Sequence, residues 1–249
     1  MKTSSKSTAN LVLIPVPISG KGDAEQFPAP TILNAIVGIR KFVVENVRTA
    51  RRMLRSMGYT ANFDEEVELV ELNKRNYLEA LQQAKSWFGN GETVGLMSEA
   101  GCPGIADPGA EIVRIAQAAG VRVHPLVGPT SIVLTLMASG LNGQNFAFLG
   151  YAPIESKPLA EFFAEISSGV QRKKRTYLFM DTPYRNGKLF DAILDKCPPD
   201  FHCCVARDIH GDKELILTKL ISEWKKGGKP DLHKIPTMFA VGTPQSELF

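Results

Sequence analysis

Cysteine, tryptophan and histidine are scarce in this 249-residue chain, with four, two and four copies respectively. Four cysteines (Cys102, Cys197, Cys203 and Cys204) are too few for a disulfide scaffold and fit a reducing cytoplasm. Long apolar runs are missing as well. The polar stretch 1–10 reads as a free terminus, and the apolar run 11–16 behind it is too short for a signal or membrane segment. A soluble, cytoplasmic protein without membrane attachment is expected. Excess charge of one sign is also lacking: 29 Lys and Arg against 26 Asp and Glu leave +3. That balance excludes nucleic-acid binding by bulk electrostatics and leaves a local patch open. With 44% hydrophobic and 22% charged residues, disorder and collagen-like repeats are excluded.

Several signatures are absent too. Behind the first apolar run, Gly20-Lys21-Gly22-Asp23-Ala24-Glu25 lacks the third glycine of a dinucleotide fingerprint. Gly228-Lys229 lacks the first glycine and the hydroxyl of a phosphate-binding loop, and no G-x-S-x-G elbow occurs. Cys203 and Cys204 are adjacent on a strand-like run and so point to opposite faces, which argues for small core residues and against a metal site.

What the chain does contain is alternation. Strand-like runs at 11–16, 41–45, 67–72, 93–97 and 121–125 are separated by helical patterns at 31–38, 48–57, 75–88 and 110–119. Such alternation predicts a parallel sheet covered on both faces. After a helix at 131–139 the texture changes. Strands are expected at 146–150, 176–181, 201–206, 214–218 and 237–241, with helices at 159–167, 185–196 and 219–225. The close pair 201–206 and 214–218 predicts a hairpin and hence a mixed sheet. The expected fold is α/β, with an N-terminal domain over 11–126 and a C-terminal domain over 127–249.

Residues 98–109 (SEAGCPGIADPG) lie between a predicted strand and a predicted helix, at the strand end where α/β sheets bind ligands. Glycines and small residues there allow close backbone approach, and Asp107 before Pro108 is placed to cap the helix. A well-capped loop without a ligand is the competing reading. A second such loop, Val127-Gly128-Pro129-Thr130-Ser131, carries hydroxyls that suit either a helix cap or a cofactor carboxylate.

The segment 95–153, with SEAGCPGIADPG, VGPTSIVLTLMASGL and FAFLGYAP, resembles the tetrapyrrole methylase superfamily of S-adenosylmethionine-dependent methyltransferases. It is nearest the branch that methylates ribose 2′-hydroxyls of bacterial small-subunit ribosomal RNA. LVLIPVPIS at 11–19, ENVR at 45–48, FMDTPYR at 179–185 and VARD at 205–208 extend the resemblance over most of the chain. It implies two α/β domains, a homodimer and a cofactor cleft between the domains. Pro15, Ser98, Glu99, Ala100, Gly101 and Pro103 would face the cofactor, and Pro129, Thr130 and Ser131 would lie by its amino-acid part. Met180 and Ala206 would flank the adenine, with Pro236 and Thr237 closing the site.

Methyl transfer is an in-line displacement that depends mainly on alignment of donor and acceptor. A ribose hydroxyl is a weak nucleophile and benefits from a base or electrostatic helper. Glu45 and Arg48 are the candidates by position, one to take a proton or hydrogen bond and the other to anchor a phosphate. A helix-entry ion pair between them is the competing reading. Asn46-Val47 stands where the branch has Asp-Thr, Cys102 replaces its Thr, and Val16-Pro17-Ile18-Ser19-Gly20 departs from its first turn. Two alternatives therefore remain open: a small-molecule, tetrapyrrole-like acceptor, and a cofactor- or RNA-binding protein without catalysis. The basic run Gln171-Arg172-Lys173-Lys174-Arg175 is expected either to track an RNA backbone or to be a solvated loop.

Overall fold

In the computed structural model, residues 9–19 and 29–244 are described. Residues 1–8, and the segment Gly20–Glu25 considered above, lie outside them. The chain divides into two compact units between Thr130 and Ser131.

The first unit holds strands β1 (Asn10–Ile14), β2 (Lys41–Val44), β3 (Glu68–Glu71), β4 (Val94–Met97) and β5 (Arg122–Pro125). All five run parallel in the order β3-β2-β4-β1-β5. Helices α1 (Ala29–Ile36), α2 (Val47–Ser56), α3 (Tyr77–Gly89) and α4 (Ala110–Ala118) make the crossovers. Leftward steps carry α1 and α2 on one face, where Ile32, Ile36 and Leu54 pack on Phe42, Val44 and Ile14. The returning steps carry α3 and α4 on the other, where Ala80, Ala84, Trp87 and Ile112 meet Val43 and Leu96. One hand of crossover requires this change of face with direction. Asn10 opens β1 and Ala9 is buried, so these two residues belong to the folded unit although the polar tail was expected to include them.

The second unit opens with α5 (Ser131–Ser139) and holds β6 (Phe146–Tyr151), β7 (Thr176–Met180), β8 (His202–Arg207), β9 (Leu215–Leu220) and β10 (Thr237–Gly242). Its order is β6-β7-β10-β8-β9, with β6 and β7 parallel and the other pairs antiparallel. The β8–β9 hairpin is as the spacing predicted. Helices α6 (Ser156–Lys173), α7 (Asn186–Lys196) and α8 (Ile221–Lys226) complete the unit. One face of the sheet supports a core of Phe163, Ile166, Phe179, Phe190, Trp224 and Phe239. The Trp224 indole N–H donates to the Cys203 carbonyl at 2.9 Å, satisfying two buried groups at once.

The basic run differs from expectation. Helix α6 continues to Lys173, and Lys174 ends it in the left-handed conformation at φ 49°. Arg172 and Lys173 thus occupy a helix C-terminal turn, where cations complement the macrodipole. Arg175 donates to Asn145 Oδ1 at 2.9 Å. The amphipathic spacing over 159–167 persists beyond Ser167 through Val170, which is fully buried, and that contact carries the helix onward.

Candidate functional site

At the carboxyl edge of the parallel sheet, the loop after β4 lies between those after β2 and β1 because β4 itself lies between these strands. It is bonded to both. The Glu45 Oε2 atom, one residue past β2, accepts the Glu99 backbone N–H at 2.6 Å. On the other side Val16 and Gly101 exchange two backbone hydrogen bonds, of 2.9 and 3.1 Å, in an isolated antiparallel bridge. A third connection reaches the loop after β5: the Cys102 thiol donates to the Pro129 carbonyl at 3.3 Å.

Gly101 makes this arrangement sterically feasible. Its φ is +73°, and a Cβ there would stand 3.3 Å from both Ile18 Cγ2 and the Pro129 carbonyl. Ser98 is buried and its hydroxyl bonds the Ala100 and Gly101 carbonyls. Pro15, Ser98, Glu99, Ala100, Gly101, Pro103, Pro129 and Thr130 all belong to this set of neighbouring loops. Pro15 immediately precedes bridge residue Val16, and Pro103 follows Cys102.

Asp107 acts differently from the expected helix cap. Gly109, with no side chain, is the N-cap of α4. Asp107 accepts the Gly104 N–H at 2.8 Å and the Gly109 N–H at 2.6 Å, so it braces the loop from within. Burial raises its carboxyl above the ordinary value, while those backbone donors oppose the rise. Neither Thr130 nor Ser131 gives its hydroxyl to a protein partner among the described residues; both stand at the entry to α5.

Glu45 and Arg48 form no ion pair. Glu45 is half-buried, and burial pushes its carboxyl up against the opposing Glu99 N–H; the charges of Asp107 and Glu99 push the same way as burial. Arg48 is exposed on the outer face of α2. Between them Asn46 caps α2, accepting the Thr49 N–H at 2.9 Å. An Asn fills that cap as well as an Asp, so the difference from the related branch leaves the local backbone intact. Sequence reasoning missed Glu71, at the end of β3. Its Oε1 accepts the Val47 N–H at 3.3 Å and its Oε2 the Asn73 amide at 3.3 Å. Only the β2–β3 register reveals this role, by setting Val44 opposite Glu71.

Within the second unit, strand register gathers the remaining candidates. Met238 on β10 pairs with Met180 on β7 and with Ala206 on β8, forming a row across three strands. Thr237 pairs with Arg207, and the Pro236 carbonyl accepts the Asp208 N–H at 2.8 Å. Next to Met180, Asp181 accepts the Thr182 N–H at 2.7 Å and lies 3.2 Å from the Arg185 guanidinium. Asn186, fully buried, donates to the Ile235 carbonyl at 2.7 Å. Met238 and Asn186 were missed, since pairing partner and burial are tertiary facts.

Two solved methyltransferases share this two-unit fold. The solved methyltransferase CobJ shares the fold at a TM-score of 0.61, with 16% identity over 94% of this chain and 93% of that one. Uroporphyrin-III-C-methyltransferase from Thermus thermophilus shares it at 0.51 with 15% identity, again over 94% and 93%. No family model matches. Among curated proteins, "Ribosomal RNA small subunit methyltransferase I" of Vibrio cholerae is 29% identical over 215 residues, 86% of this chain and 70% of that relative. The protein of that name from Mycobacterium tuberculosis strain H37Rv is 26% identical over 97% of this chain and 81% of its own length. The one from Xylella fastidiosa is 30% identical over 70% and 59%. The chain is thus similar along most of its length to curated ribosomal RNA methyltransferases, and it shares the fold of two solved methyltransferases. No helix among the described residues is long and apolar enough to cross a membrane.

Proposed function

We propose that this chain transfers a methyl group from S-adenosylmethionine to a ribose 2′-hydroxyl of small-subunit ribosomal RNA, working as a cytoplasmic homodimer. The names of the relatives support the substrate class. The observation that carries the reading is the bond from Glu45 to the Glu99 N–H. It joins the candidate catalytic carboxylate to the loop whose backbone would hold the cofactor.

The residues present suit that cofactor. It needs shape and backbone polarity, and the loop 98–103 offers small residues around a positive-φ glycine. Thr130 and Ser131 hold hydroxyls in reserve for the amino-acid part, while Met180 and Ala206 offer apolar side chains in one row with Met238, next to Pro236 and Thr237. When bound, S-adenosylmethionine supplies an electrophilic methyl on a sulfonium centre.

The protein's part is alignment and proton handling. The Glu45 carboxylate accepts the proton, or a hydrogen bond, from the attacking hydroxyl at its Oε1 atom while Oε2 stays on Glu99. Burial makes it a stronger base than an exposed carboxylate. Arg48 holds the phosphate next to the reacting ribose. In calorimetric titration, S-adenosylmethionine and S-adenosylhomocysteine should bind saturably and NAD should not. Tritiated methyl should then enter naked small-subunit ribosomal RNA, at a position that resists alkaline cleavage. Absence of cofactor binding by folded, ligand-free protein would defeat the proposal.

A further inference from the structure

The first unit presents a group of cations on helix α2 and the loop after β3. Helix α2 carries Arg48, Arg51, Arg52 and Arg55 on its outward side, opposite the buried Ala50 and Leu54. Two of these are structural. Arg51 pairs with Asp64 at 3.0 Å, and Arg55 donates to the Tyr59 and Ala61 carbonyls and stacks 4.3 Å over the Phe63 ring. Arg48 and Arg52, one helical turn apart, are exposed and take no partner among the described residues. Lys74 and Arg75, in the loop after β3, are likewise exposed, with side chains unpartnered among the described residues.

Glu71 brings the two pairs together. One of its oxygens accepts the N–H of Val47, the neighbour of Arg48, and the other accepts the amide of Asn73, the neighbour of Lys74. Summed bond and chain lengths keep the Arg48 and Lys74 Cα atoms within about 20 Å, before either long side chain reaches out. The carboxylates among them are already engaged: Glu71 in these two bonds and Glu45 on Glu99. Arg48 also sits in a helix first turn that holds no acidic residue, an unfavourable place for a cation by the macrodipole. The fold gains nothing from this group.

We infer that Arg48, Arg52, Lys74 and Arg75 form the seat for the RNA backbone, running from the site at Glu45 outward along α2 and the β3–α3 loop. Exposed cations on a helix face and a loop engage phosphates, so the seat fixes where the strand lies and leaves sequence choice to other contacts. The inference rests on the methyltransferase reading and assigns its acceptor surface. It also moves that role away from the cluster at Arg172, whose cations close α6.

The test uses the full chain and a fluorescein-labelled, single-stranded RNA of 20 nucleotides, read by anisotropy across a salt series. The triple variant Arg52→Gln, Lys74→Gln, Arg75→Gln spares Arg48 and changes only exposed side chains. It should bind at least tenfold more weakly at 50 mM salt, with the slope of log K against log salt shallower by about 2. The control triple Arg172→Gln, Lys173→Gln, Lys174→Gln should stay within twofold of wild type. The first triple should keep wild-type melting temperature, the control should lose at most about a few degrees by giving up its helix-terminal cations, and both should keep wild-type affinity for S-adenosylmethionine. Equal RNA binding by wild type and the first triple, or a larger loss in the control, overturns the seat while leaving the methyltransferase reading standing. A wild-type chain that binds the cofactor but no RNA overturns the seat and the RNA acceptor. One that binds neither overturns the underlying reading as well.

Discussion

Glu45 and Glu99 are 54 positions apart, yet the carboxylate of the first accepts the backbone N–H of the second at 2.6 Å. The bond exists because β2 and β4 are neighbours in the sheet, which sets the loops at their carboxyl ends side by side. Two acidic residues therefore meet through an acceptor and a backbone donor. Replacing Glu45 by Gln keeps an acceptor for Glu99 and removes the base. Methyl transfer should fall about 100-fold or more in kcat, with cofactor affinity within a fewfold of wild type. Glu45→Ala should weaken cofactor binding as well, because the loop loses its brace.

The same carboxylate predicts a pH dependence. Burial holds the Glu45 carboxyl above its ordinary value of 4.5, so the folded state takes up a proton more readily than the unfolded chain. Its stabilising contribution is complete below 4.5 and is lost as pH rises through the elevated folded value. Melting temperatures of wild type and Glu45→Gln should therefore diverge in favour of the variant between pH 4 and pH 7. The acid limb of kcat should lie above the usual carboxylate range in wild type and vanish in the variant.

Asn46 separates capping from chemistry. Asn46→Ala should cost about 1 kcal/mol by leaving the Thr49 N–H unpaired. Asn46→Asp retains the cap and should melt with wild type. Thermal denaturation distinguishes the two, and any change in methyl transfer by the Asp variant then reports the added charge alone.

Gly95, in the middle of β4, is packed without room for a methyl group. A Cβ there would lie 2.6 Å from the Phe42 ring and 2.8 Å from the Ile14 side chain. Gly95→Ala should lose about 1–3 kcal/mol by overpacking, seen as a drop of several degrees in melting temperature.

The cysteines should react in two classes. Cys102 is partly exposed, whereas Cys197, Cys203 and Cys204 are buried. Burial pushes the Cys197 thiol up to about 12 and that of Cys203 well above its ordinary value. A thiol-specific chromogenic reagent at pH 8 should label Cys102 in the native protein and the other three only on unfolding. Rapid native labelling of more than one thiol would contradict this packing.

Much of the fold was legible locally. Period-2 and period-3.6 patterns, together with Gly120 after α4 and Gly140 after α5, mark most elements to within a few residues. The glycine loop at 98–109 also announced itself, because close backbone approach demands small residues wherever it occurs. Helix α6 was underestimated because its later turns are polar, and burial of Val170 is what holds them in the helix.

By itself, then, the amino-acid sequence determined which segments are strands and helices, where the glycine loops lie, and the resemblance that leads to methyl transfer. These depend on neighbours a few positions away or on residue identity. Only the tertiary structure decided that Glu45 binds Glu99, that Val16 bridges Gly101, and that Glu71 ties the loops bearing Arg48 and Lys74. It likewise decided that Met180 and Ala206 both flank Met238. Each of these rests on strand order and register, set by the burial of whole sheet faces and the hand of the crossovers, which no local pattern encodes.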